Sequence, residues 1–100
     1  MIPQSLGFVT VPTPGTPVPL SASPLLSSGR VQPRSAPGVV NVGNVYLGTK
    51  GMNKSTGAGV YAVLSPEQVE GFPLTPAVDL AQLYLDADNA GDGVLASYLT

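Results

Sequence analysis

Asp86-Ala87-Asp88-Asn89-Ala90-Gly91-Asp92-Gly93 gathers three carboxylates and an amide around a glycine turn. Calcium and similar hard cations take about six to eight oxygen ligands, often from closely spaced aspartates. Aspartate at the first and third positions with glycine at the sixth matches the opening of an EF-hand loop. The match then ends: the fifth position is Ala90, the twelfth is Ser97 rather than glutamate, and the flanking segments read as strands. Asn, Asp and Gly are equally the residues of tight turns, because they tolerate or supply left-handed backbone angles. The preferred reading is a β-hairpin connection, with Asp86, Asp88 and Asp92 kept as secondary metal candidates and no cofactor expected.

Other chemistry is poorly served. The chain has no cysteine and no histidine, which excludes thiol nucleophiles, disulfides, Cys/His zinc sites and the commonest general base. Serine or threonine could be activated only through Lys50 or Lys54, both in a polar stretch. Lys50-Gly51-Met52-Asn53-Lys54-Ser55-Thr56-Gly57 contains Lys-Ser-Thr without the glycine spacing of a phosphate loop. No catalytic residue is assigned, and a non-enzymatic protein is expected. Four basic residues and a formal charge of −2 leave little to neutralise phosphates, so nucleic acid is not an expected partner. No apolar run approaches the ~20 residues of a membrane helix, and Met1-Ile2-Pro3-Gln4 lacks the pattern of a signal peptide. A soluble protein made in a cytoplasm is expected.

The elements that would carry these residues are strands. Eight of the first 37 residues are proline, which breaks helices and cannot donate to a β-ladder. Phe8-Val9-Thr10-Val11 and Pro17-Val18-Pro19-Leu20-Ser21 flank a Pro-Thr-Pro-Gly turn. They read either as two edge strands or as an extended arm over residues 1–24 that lies across a neighbour. Val39 to Gly48 is strand-like, with Gly43 as a bulge. Thr49–Gly59 reads as an exposed loop, and Gly59–Leu64 as a strand. Ser65-Pro66-Glu67-Gln68 has the signals of a short helix start. In Gly93–Leu99, Val94, Ala96 and Tyr98 alternate with Leu95, Ser97 and Leu99, so both faces are apolar and the strand is central or covered. Together these predict one small antiparallel β-sandwich or barrel over residues 25–100, preceded by the proline-rich arm.

All four basic residues (Arg30, Arg34, Lys50, Lys54) precede all six acidic ones (Glu67, Glu70, Asp79, Asp86, Asp88, Asp92). That gradient could orient copies in an assembly, or it is chance in a charge-poor chain. The arm and the basic pair supply the candidate interface residues: Phe8, Val11, Val18, Leu20, Arg30 and Arg34.

Four motifs run through the second half: Gly43-Asn44-Val45-Tyr46-Leu47-Gly48, Leu64-Ser65-Pro66-Glu67, Leu83-Tyr84-Leu85-Asp86-Ala87-Asp88, and Gly91-Asp92-Gly93-Val94 through Tyr98-Leu99. Through them residues 39–100 resemble a group of small tailed-bacteriophage virion structural proteins. The chain departs from the pattern in the Thr49–Gly59 segment and at Ser65–Gln68, where those proteins usually carry a proline–glycine turn. The resemblance implies a β-sandwich or barrel present in many copies on the particle, commonly as capsid decoration. The expected function is therefore a capsid decoration (cement) protein on the outside of the virion. Its expected partners are the major capsid protein and its own copies, as a homotrimer. The alternatives are a neck, tail or fibre-adaptor component, and a calcium- or glycan-binding β-module.

Overall fold

The computed structural model describes residues 2–36, 38–72 and 78–99. Among them the regular structure is entirely strand: β1 (Pro3–Thr10), β2 (Val18–Pro19), β3 (Leu26–Ser27), β4 (Gly29–Ala36), β5 (Val39–Val40), β6 (Val45–Asn53), β7 (Ala58–Leu64), β8 (Glu70–Phe72), β9 (Val78–Asp79), β10 (Tyr84–Ala87) and β11 (Gly93–Leu99). The first sheet runs β1-β11-β4, with β5 and β8 both pairing with β4. The second runs β2-β10-β6-β7, and β3 pairs with β9. Every pairing is antiparallel. The two open sheets pack face to face as a sandwich, which decides between the two all-β architectures expected.

Strand alternation builds the core. β11 lies between β1 and β4, and its Val94 and Ala96 are fully buried. From the facing sheet, Val45, Leu47, Leu64, Leu85 and Ala87 bury against them, with Val11, Leu20, Val31, Leu80 and Leu83 closing the cluster. Each fully buried Val or Leu contributes about 1.5–3 kcal/mol relative to exposure.

The proline-rich N-terminal segment is extended, as expected, but it does not stand apart from residues 25–100. β1 pairs with β11 from Pro3↔Leu99 to Thr10↔Gly93, and β2 pairs with β10. They are the edge strands of the two sheets, and Val11 and Leu20 beside them are core residues. Prolines fit there because an edge strand can leave one side of its backbone unpaired.

Three local expectations are corrected. Thr49–Gly59 is not a loop. β6 and β7 continue as a hairpin whose turn occupies residues 54–57, with Met52 buried. The Asn53 side-chain oxygen accepts from the amides of Ser55 and Thr56 (2.9 and 3.3 Å), holding the turn. Val39–Gly48 is not one bulged strand, because residues 41–44 form a connection between β5 in one sheet and β6 in the other.

Ser65–Gln68 is not a helix start. The Gln68 amide donates to the Ser65 carbonyl (3.1 Å) and Glu67 has φ of 73°. That is a β-turn with proline second and a left-handed third residue, a position that favours glycine. The Gln68 side chain folds back to accept from the Ser65 amide and hydroxyl (3.1 and 3.2 Å). A left-handed angle costs a non-glycine residue about 1–2 kcal/mol, partly offset by glycine's larger unfolded-state entropy. Glu67→Gly should therefore raise stability by about 0.5–1 kcal/mol. A chemical-denaturation midpoint equal to or below the parent's would contradict this strain.

Candidate functional site

The connection from β10 to β11 is not a hairpin: β10 belongs to the second sheet and β11 to the first. It crosses the sandwich, and its carboxylates do separate jobs. Asp86 is 1 % exposed, and its Oδ1 accepts from the amides of Gly15 (3.0 Å) and Ala87 (2.7 Å). Asp92 is 4 % exposed and accepts from Val42 through Oδ1 (3.2 Å) and from Gly43 through Oδ2 (2.9 Å). Asp88 is exposed. Both its oxygens accept from the Tyr46 hydroxyl at 3.1 Å, and Lys54 Nζ lies 3.6 Å from Oδ1. Burial first, and then the hydrogen bond and charge of Asp88, hold the Tyr46 phenol above its ordinary pKa.

The secondary metal candidates Asp86, Asp88 and Asp92 therefore point to three different partners. Among the described residues no group of three His, Cys, Asp or Glu is placed to hold a metal ion. Buried carboxylates persist only when their hydrogen-bonding capacity is used. Here Asp86 and Asp92 use it to anchor backbone from distant parts of the chain.

Asn41 completes this arrangement, and the sequence reading missed it. It is 5 % exposed; its Nδ2 donates to the Gly93 carbonyl (2.7 Å) and its Oδ1 accepts from the Gly93 amide (3.2 Å). The carboxamide thus acts as a strand residue beside Gly93, just beyond the Pro33↔Val94 pair. Its signal was a lone amide in the apolar run Val39-Val40-Asn41-Val42. Three crossings between the sheets (residues 11–17, 41–44 and 88–92) are tied together here. Val11 exchanges hydrogen bonds with the Asp92 carbonyl (2.8 Å) and the Gly91 amide (2.9 Å), and the Asp88 amide donates to Asn44 (3.2 Å). Gly91 has φ of 87° with open space where a Cβ would go. Gly91→Val should therefore cost about 1–2 kcal/mol from backbone strain alone. A melting temperature matching the parent's would contradict that.

The candidate interface residues separate cleanly. Val11 and Leu20 lie in the core, and Val18 packs against it. Val11 and Leu20 are buried within the chain, and Val18 is half-buried. Phe8, Arg30 and Arg34 share the outer face of the first sheet. Val9, Val31, Pro33, Val94 and Ala96 point inward from β1, β4 and β11, so the alternating Phe8, Arg30, Gln32, Arg34 and Leu95 point outward. Two apolar groups are also exposed, one of them beside this face, since Val40 pairs with Arg34. Val39, Val40 and Val42 lie along β5 and the following connection, with Val42 82 % exposed, and Tyr61 and Val63 lie on β7. The charge order along the chain does not become two charged halves in space, because strands from both ends of the sequence share each sheet. No family model matches the chain, and no curated protein or solved structure matches it.

Proposed function

We propose that this chain is a structural virion protein of the capsid decoration type, which stabilises a phage head by bridging neighbouring capsid subunits. The observation that carries the reading is a sandwich with cross-tied connections that leaves clustered apolar side chains exposed, Val39, Val40 and Val42 at one place and Tyr61 and Val63 at another. Single exposed apolar residues are ordinary, whereas clusters mark surfaces that something covers. The resemblance of residues 39–100 to small virion proteins supports a particle as the setting. Decoration asks for what such a module offers. Contacts of modest area to several subunits add, at roughly 25 cal/mol per Å2 of apolar surface, and each contact raises the effective concentration of the next. The protein would act as a homo-oligomer, a trimer, on the capsid exterior.

Particle imaging with quantification of this chain tests the reading. Decoration places many copies over the head surface, at positions where capsid subunits meet. A single ring of copies at the neck or tail would replace it with the adaptor alternative, and absence from purified particles would remove both.

A further inference from the structure

We propose that the outer face of the first sheet is the docking face, and that the partner surface presents carboxylates on either side of an apolar patch. The inference rests on the particle reading only for the identity of that partner.

The face is organised in rows. Phe8, Leu95 and Gln32 are direct lateral neighbours across β1, β11 and β4, about 4.8 Å apart from strand to strand. Arg30 and Arg34 lie on β4 two residues to either side of Gln32, which separates them by ~13 Å. An aromatic and an aliphatic side chain thus extend from the strand that carries both arginines. Of the other outward groups, Ser5, Thr10 and Ser97 are small and uncharged, and Val40 on β5 lies beside Arg34. The ion pair found among the described residues joins Lys54 in the β6–β7 turn to Asp88 in the β10–β11 crossing and involves neither arginine.

A face carrying +2 on a chain of net charge −2 is a local reversal of sign. Arginine forks match carboxylates bidentately, and arginine with aromatic residues is the composition enriched at protein interface hot spots. Nucleic acid fits less well, because two cations release few counterions and the centre of the face is apolar. The sign, the spacing and the apolar centre select an acidic protein surface.

The experiment rebinds purified protein to heads that lack it and measures occupancy against protein concentration and salt. Arg30→Glu with Arg34→Glu, and separately Phe8→Ala, should each weaken binding about tenfold or more. Arg30→Gln with Arg34→Gln should do so less and flatten the salt dependence, which covers the case in which charge reversal disturbs folding. Lys50→Glu, an exposed charge on β6 of the opposite sheet, should leave affinity within about twofold of the parent. Capping the carboxylates of the heads with a carbodiimide and a neutral amine should abolish binding. Unchanged affinity in the arginine and Phe8 variants would overturn the docking face while leaving decoration standing. Binding that survives capping but is lost after nuclease treatment would overturn the acidic protein partner. Parent protein that fails to bind heads at all would sink the particle reading, and this inference with it.

Discussion

A chain lacking residues 1–20 should fail to fold. The deletion removes β1 and β2, along with the fully buried Val11 and the buried Leu20. Those two side chains alone represent about 3–6 kcal/mol of burial at 1.5–3 kcal/mol each. Leu6, Val9 and Val18, which pack against the same cluster, add to that. A domain of this size has a net stability of only about 5–15 kcal/mol. The loss is also topological. β11, central between β1 and β4, would become an edge along its whole length, and β10 would lose β2. Exposed edges of this kind promote edge-to-edge aggregation. The truncated chain should show no cooperative thermal transition and collapsed amide dispersion in its 1H–15N spectrum. A well-dispersed spectrum with a sharp melt would restore the independent arm. The outcome also bears on docking, since Phe8 and the β1 end of the outer face depend on β1 being in the sheet.

The fold class was legible because its signals are local. Proline and glycine punctuation excluded long helices, and apolar residues on both faces marked β11 as central or covered. The sheet order sets it between β1 and β4, and burial sets Val94 and Ala96 inward. What was illegible depended on where distant segments meet. Prolines 12, 14, 17 and 19 signal extended chain equally for a free arm and for an edge strand; only pairing with β11 and β10 separates the two. Ser65-Pro66 followed by Gln68 satisfies both a helix start and a turn, and Glu67 at a position suited to glycine hid the turn. Asp-Asn-Gly-Asp sequences make hairpins and sheet-to-sheet crossings alike. The use of Asp86 was unreadable in principle, since one amide it holds belongs to Gly15, 71 residues away. The interface candidates divided along the same line. Parity along β4 keeps Arg30 and Arg34 on one face, but Val11 and Leu20 look like surface apolar residues until the second sheet covers them.

Replacing Asp92 by Asn should destabilise the protein by about 3 kcal/mol, although the two side chains are nearly the same shape. Asp92 gives one oxygen to the Val42 amide and the other to the Gly43 amide. Asparagine keeps one acceptor and puts an NH2 where the second stood, so a donor meets a donor. Turning the amide away relieves that contact only by leaving a backbone N–H without a partner. The parent bonds are charge-assisted, worth about 1.5–3 kcal/mol each, and the part-buried donor left over adds a smaller cost than a fully buried one would. In a chain of this length that corresponds to a fall in melting temperature on the order of 10–20 °C. Asp88→Asn is the internal control. Its side chain is 42 % exposed and its ion pair with Lys54 is at the surface, so stability should change by less than about 0.5 kcal/mol. Two equivalent surface charges would give equal, small effects in the two variants, whereas the staple geometry predicts unequal ones. Hydrogen exchange locates the difference: in Asp92→Asn the amides of Val42 and Gly43 should exchange faster, while those of Leu47 and Leu85 in the core change only with global stability. Equal melting temperatures for the two variants, with Val42 and Gly43 still protected, would show that Asp92 does not hold the 41–44 crossing in place.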